Sequence, residues 1–137
     1  MTNKAIYLTG PANCDSDQHH LVPDAVVRGR FLFSGGIAGF DDKGDLLFSS
    51  VLTGAGSLED QTRQAFASAR KVVETGGFKW ADVGHMYVWY ESHAARSTVD
   101  RVWAEVFPNK DDRPARHCVV TKLPAGTQVG VELTAAR

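Results

Sequence analysis

The segment VGHMYVWYESHAARSTVDRVWAEVFPNKDDRPARHCVV, residues 83–120, reads as a strand, a helix and a second strand. In Val83–Tyr90 neither alternating set of side chains is polar, so a strand covered on both faces is expected. Ser97 and Asp100, three residues apart, give a capping-box signal for a helix start. Val99, Val102, Trp103, Val106 and Phe107 then recur at the spacing of a core-facing helix, which Pro108 stops. In the strand from Ala115 to Lys122, Arg116, Cys118 and Val120 project to one face, and His117 and Val119 to the other.

Upstream, Ser57 and Asp60 repeat the capping-box signal. Leu58, Thr62, Ala65, Phe66, Ala69, Val72 and Val73 follow at helical spacing until Gly76-Gly77. Ala25–Ser34 reads as two short strands about the turn Arg28-Gly29-Arg30. Gly35-Gly36 follows, then a turn at DDKGD (41–45) and a short strand over Leu46–Ser50. Downstream, Leu123–Thr127 reads as a hairpin loop into a last strand, Gln128–Ala135. A five-residue loop sets Cys118 opposite Glu132 and puts Arg116, Cys118 and Glu132 on one face. A one-residue change of register sends Glu132 to the other. Residues 1–24 are polar and irregular, and no repeat or linker divides the chain. The expectation is one α+β domain over 1–137, with helices backing one face of a sheet.

Composition narrows the function. Fifteen Lys and Arg oppose sixteen Asp and Glu, for a formal net charge of -1. That balance argues against a protein built to hold nucleic acid, which usually carries a basic stripe. The hydrophobic share of 43% and charged share of 23% suit a packed globular core rather than a disordered chain. Cys14 and Cys118 form no CxxC pair, and no apolar run approaches the roughly 20 residues that span a bilayer. With no signal-like start, the expected setting is cytoplasmic, with no membrane contact.

The most informative chemistry lies in Arg113–Val120, RPARHCVV. An arginine sharing a strand face with Cys118 and apolar groups needs an anionic partner. Its planar fork matches a carboxylate, so Arg116 is either a carboxylate anchor or half of a structural ion pair, with Glu132 as one candidate partner. His19 and His20 sit in a polar loop, where imidazoles either titrate in acid–base work or are merely solvated. Their spacing from Asp15 and Asp17 fits no standard metal-ligand pattern, and none is expected. Walker loop, GxGxxG, HExxH and nucleophile-elbow motifs are all missing.

LFSGGI (32–37), Gln61 with Ala65-Phe66, the GGF-x-x-ADV turn (76–83), VDRVW with FP (99–108), RPARHCVV, and KLPAG with VGVE together resemble the RidA/YjgF family. Its members are reactive-intermediate deaminases, formerly called endoribonuclease L-PSP. The resemblance covers roughly residues 25–135, and its PAR-x-C…LP…VE ending is the most specific part. It implies a chorismate-mutase-like mixed sheet with two helices on one face. It also implies a homotrimer with three clefts between subunits, and no cofactor. The activity implied is hydrolysis of enamine-derived imines, such as 2-imino acids, to keto acid and ammonia. By the same resemblance Arg116 holds the substrate carboxylate, Cys118 lines the pocket, and Gly35 and Gly36 border the cleft. Glu132 and His20 become candidate water-directing groups.

The sequence also departs from the family. Gly130 stands where a water-positioning glutamate is usual, Leu21 where a site tyrosine is usual, Gly36 for a glutamine and Asp100 for an asparagine. A divergent member with a different substrate is the expectation. The alternative is a small-carboxylate-binding member without turnover. A third reading, ribonuclease activity, runs against the neutral charge balance.

Overall fold

The structure, a computed structural model, describes residues 3–8, 22–38, 57–123 and 126–137. Cys14, His19, His20, Leu21, the expected turn at 41–45 and the expected strand Leu46–Ser50 lie outside the described residues. Among the described residues the order is β1 (Asn3–Ile6), β2 (Ala25–Arg28), β3 (Phe31–Ser34), α1 (Leu58–Thr75), β4 (Val83–Tyr90), α2 (Arg96–Val106), β5 (Ala115–Val120) and β6 (Val129–Ala136). The strands form one mixed sheet ordered β1-β2-β3-β6-β4-β5.

Local chemistry sets most of these elements. Gly29, at φ 59, takes the left-handed conformation that closes the β2–β3 hairpin. Ser57 accepts from the Asp60 N–H while the Asp60 carboxylate accepts from the Ser57 N–H, so the expected capping box starts α1. At its other end α1 has no basic residue in the last turn, and Lys4 of β1 donates to the Thr75 carbonyl at 3.1 Å instead. β1 itself was not expected, because only Ile6 of its four side chains is buried and no alternation shows. Its pairing with β2, Asn3↔Arg28 to Ile6↔Ala25, makes the strand.

Three expectations are corrected. Leu123–Thr127 does not close a hairpin: β4 lies between β5 and β6, parallel to β5 and antiparallel to β6. The α2 crossover is long enough to return the chain parallel to β4, and β6 pairs along the opposite edge of β4, between it and β3. Ser97 does not cap α2. Its approach is a tight turn, His93–Ala95, capped by Ser92, whose side chain accepts from the Ala94 N–H at 3.2 Å. Nor do the described residues cover β4 on both faces: Met86, Val88 and Tyr90 are buried, while Tyr87 stays 36% exposed.

The core lies between the sheet and the two helices, where Phe66, Val72 and Val73 of α1 and Val99 and Val102 of α2 meet Leu32, Met86, Val88, Val131 and Leu133. Each such side chain contributes about 1.5–3 kcal/mol through burial. Trp80 stacks on Phe107 at 4.8 Å between ring centroids and donates from Nε1 to the Val106 carbonyl at 3.0 Å, anchoring the end of α2.

Gly76 closes α1 at φ -73, a conformation any residue adopts, so backbone entropy alone would make Gly76→Ala stabilising by about 0.4–1 kcal/mol. A Cβ there would instead overlap Leu32 Cδ1 and lie 3.2 Å from Ile6 Cδ1, both in the closed core. Overpacking wins, and Gly76→Ala is expected to lose about 1–3 kcal/mol in urea unfolding.

Candidate functional site

Arg116 lies on β5, the edge strand, with its side chain turned toward α2 and only 16% exposed. A charge so far from water needs a partner, and α2 supplies two. The guanidinium carbon lies 4.9 Å from the Trp103 ring centroid, in cation–π contact. Nη2 donates to Asp100 Oδ1 at 2.6 Å, a charge-assisted bond. Asp100 and Trp103 are three apart on α2 and so share a face over β5. Asp100, read from the sequence as a cap, is thus the ion-pair partner of Arg116. Its other oxygen, Oδ2, lies 3.8 Å from Arg96 Nε, one helical turn back.

Cys118, a free half-buried thiol, follows on the same strand face and packs against the core. Tyr90 is buried on the neighbouring strand, two residues beyond the Val88 that pairs with Cys118. Burial pushes the Tyr90 phenol up from its ordinary range, and the Cys118 thiol adds to the shift. The charges of Arg96 and Arg116 pull the other way.

The sequence-derived trio does not assemble. In the observed register Tyr87 pairs with both Glu132 and His117, while Val88 pairs with both Val131 and Cys118. Glu132 therefore faces away from Arg116 and Cys118, and the five-residue hairpin that had aligned them does not exist. Gly130, two residues away, faces the same way as Glu132. Gly35 and Gly36 follow β3 and are exposed. Two strands, β6 and β4, separate β3 from β5, which at about 4.8 Å per strand puts the glycines about 14 Å from Arg116 across the sheet. Among the described residues the site is Arg116, Asp100, Trp103, Cys118 and Tyr90, on an edge of the sheet. Among the described residues no group of three His, Cys, Asp or Glu side chains is placed to hold a metal ion.

Gln61 is a further residue whose structural part the sequence did not reveal. Buried on α1, it donates from Nε2 to the Gly126 carbonyl at 3.1 Å and accepts at Oε1 from the Gln128 N–H at 2.9 Å. It ties down the approach to β6. The available signal was a polar side chain on the stripe of Ala65 and Ala69. Glu91, after β4, likewise accepts from the Leu123 N–H at 2.9 Å and holds the exit from β5.

The opposite sheet face carries Phe31, Phe33 and Tyr87, which are 48%, 44% and 36% exposed. Phe31 stacks on Phe33, and Tyr87 touches the rings of His85, Trp89 and His117. This is an apolar surface of the kind that marks an interaction site.

A family profile described as endoribonuclease L-PSP matches residues 3–137. A candidate endoribonuclease from Thermotoga maritima superposes with a TM-score of 0.73 at 26% identity, covering 95% of this chain and 92% of its own. YyfA of Yersinia pestis, a protein of unknown function in the conserved Rid family, gives 0.78 at 22%, covering 99% and 100%. A YjgF-family protein from Mycobacterium tuberculosis gives 0.72 at 18%, covering 99% and 100%. The last two likenesses are of fold.

Because the folded state holds the Tyr90 proton more tightly than the unfolded chain, its contribution is present below the ordinary phenol value of 10.0 and lost as pH rises through the raised folded value. The urea midpoint is therefore expected to fall above about pH 10 and to fall less in Tyr90→Phe.

Proposed function

The chain belongs to the endoribonuclease L-PSP family, the YjgF/Rid proteins, and from that premise we propose that it hydrolyses imines of small carboxylic acids. The observation that carries this reading is Arg116: a mostly buried guanidinium that spends one N–H on Asp100 and keeps the rest of its fork for an incoming carboxylate. Substrate is an enamine-derived 2-imino acid. Water adds to the C=N carbon, the resulting amino alcohol expels ammonia, and the keto acid leaves. Arg116 supplies orientation, holding the carboxylate so that the imine carbon sits over Cys118 and Tyr90, with Trp103 as the wall.

The open edge of β5 is filled by a second copy. In the homotrimer we propose, each cleft combines Arg116 of one chain with Gly35 and Gly36 of the next. Glu132, which faces away from Arg116 of its own chain, would reach the substrate only from a neighbouring chain, and His20 is the other candidate water-directing group. The exposed Phe31, Phe33 and Tyr87 supply the apolar surface for assembly. Among the described residues no helix is long and apolar enough to cross a membrane, and with the free Cys118 thiol we place the protein in the cytoplasm. A second reading, carboxylate binding without turnover, is favoured by the one-sided position of Glu132 and by Gly130 two residues before it.

Arg116→Ala is expected to lower kcat/KM for freshly generated 2-iminopropionate about 10- to 150-fold, the loss of one charged hydrogen-bonding anchor. Absence of turnover by the wild type, with pyruvate still bound, would select the binding-only reading. Phe33→Lys is expected to leave the far-ultraviolet circular dichroism unchanged and to shift the mass in sedimentation equilibrium from trimer toward monomer.

A further inference from the structure

We infer that Asp100 sets the charge of the Arg116 site and makes it select monocarboxylates over dicarboxylates. The inference rests on the carboxylate-site reading above and adds the substrate class. Three charged side chains meet at the start of α2: Arg116 and Arg96, with the Asp100 carboxylate between them at 2.6 Å and 3.8 Å. Their sum is one positive charge, which one substrate carboxylate neutralises.

The two contacts of Asp100 differ in strength. Arg116 is 16% exposed and held over Trp103, so its short bond to Asp100 persists when ligand arrives. Arg96 is 63% exposed and its contact is long, the kind of surface pair that contributes little. Arg96 is therefore free to swing toward solvent, while Asp100 stays in place at 47% exposure. A ligand carboxylate on the remaining N–H groups of Arg116 leaves the rest of the molecule beside Asp100. An apolar or neutral chain is tolerated there. A second carboxylate meets the Asp100 charge well inside the roughly 8 Å Debye length, so the repulsion survives physiological salt. Without the Asp100 charge, the same second carboxylate would find Arg96 unopposed.

The test compares two acids of equal length, 2-oxopentanoate and 2-oxoglutarate, binding to the full chain by calorimetry. Wild type is expected to bind the monocarboxylate at least about tenfold more tightly. Asp100→Asn is expected to narrow or invert that ratio by about tenfold or more, while Asp100→Glu keeps the wild-type preference. Asp100→Ser serves as the second charge-removing variant should the asparagine form melt early. A purely structural role would weaken both acids together and leave their ratio unmoved, so an unchanged ratio in the charge-removing variants overturns the inference. If the monocarboxylate still binds wild type and is lost in Arg116→Ala, that outcome leaves the carboxylate-site reading standing. No binding of either acid to wild type overturns both.

Discussion

The parallel pairing of β4 with β5 governs the rest of this molecule. A helical crossover lets a strand return parallel to its predecessor, and here α2 brings β5 back directly beside β4. With β5 on one edge of β4, β6 takes the other edge, between β4 and β3. That order puts Arg116 on the sheet's outer edge and Cys118 in line with the buried Val88. It also brings α2 directly over β5, so that Asp100 and Trp103 reach Arg116. The local site is a consequence of one topological choice.

Burial of Arg116 is the energetically demanding part of this arrangement. An isolated guanidinium away from water is unfavourable by several kcal/mol, and the chain offsets it with an aromatic face and a carboxylate. Both come from one turn of α2, so the helix stripe has two duties. Val99, Val102 and Phe107 point into the core, while Asp100 and Trp103 lie at its border. Among the described residues the sheet's other face has no such cover. Its aromatic rings stack on one another instead, and they remain exposed where the core side is closed.

Much of the fold was legible in the residues because its signals are local. Ser57 and Asp60 announce the start of α1, the spacing of Ala65, Phe66, Ala69, Val72 and Val73 gives its length, and Arg28-Gly29-Arg30 closes a hairpin. Arg116 stood out as an arginine on an apolar strand face, and the structure keeps it there. What failed depended on distant partners. β1 is a strand because β2 pairs with it, and four residues with one buried side chain show no period of their own. Ser97 and Asp100 have the spacing of a cap, but Ser92 caps the preceding turn and Arg116 claims Asp100.

Sequence alone determined the α+β class, the span of both helices to within two residues, the family resemblance and Arg116 as the residue of interest. These follow from period, capping chemistry and a motif, all readable within a few residues of chain. Only the tertiary structure decided the strand order, the face on which Glu132 lies, and the pairing of Arg116 with Asp100. The reason is that a strand's side chains alternate with period two. Which of them meet then depends on which strand lies alongside, and that is settled by packing the helices, not by the strand's own residues.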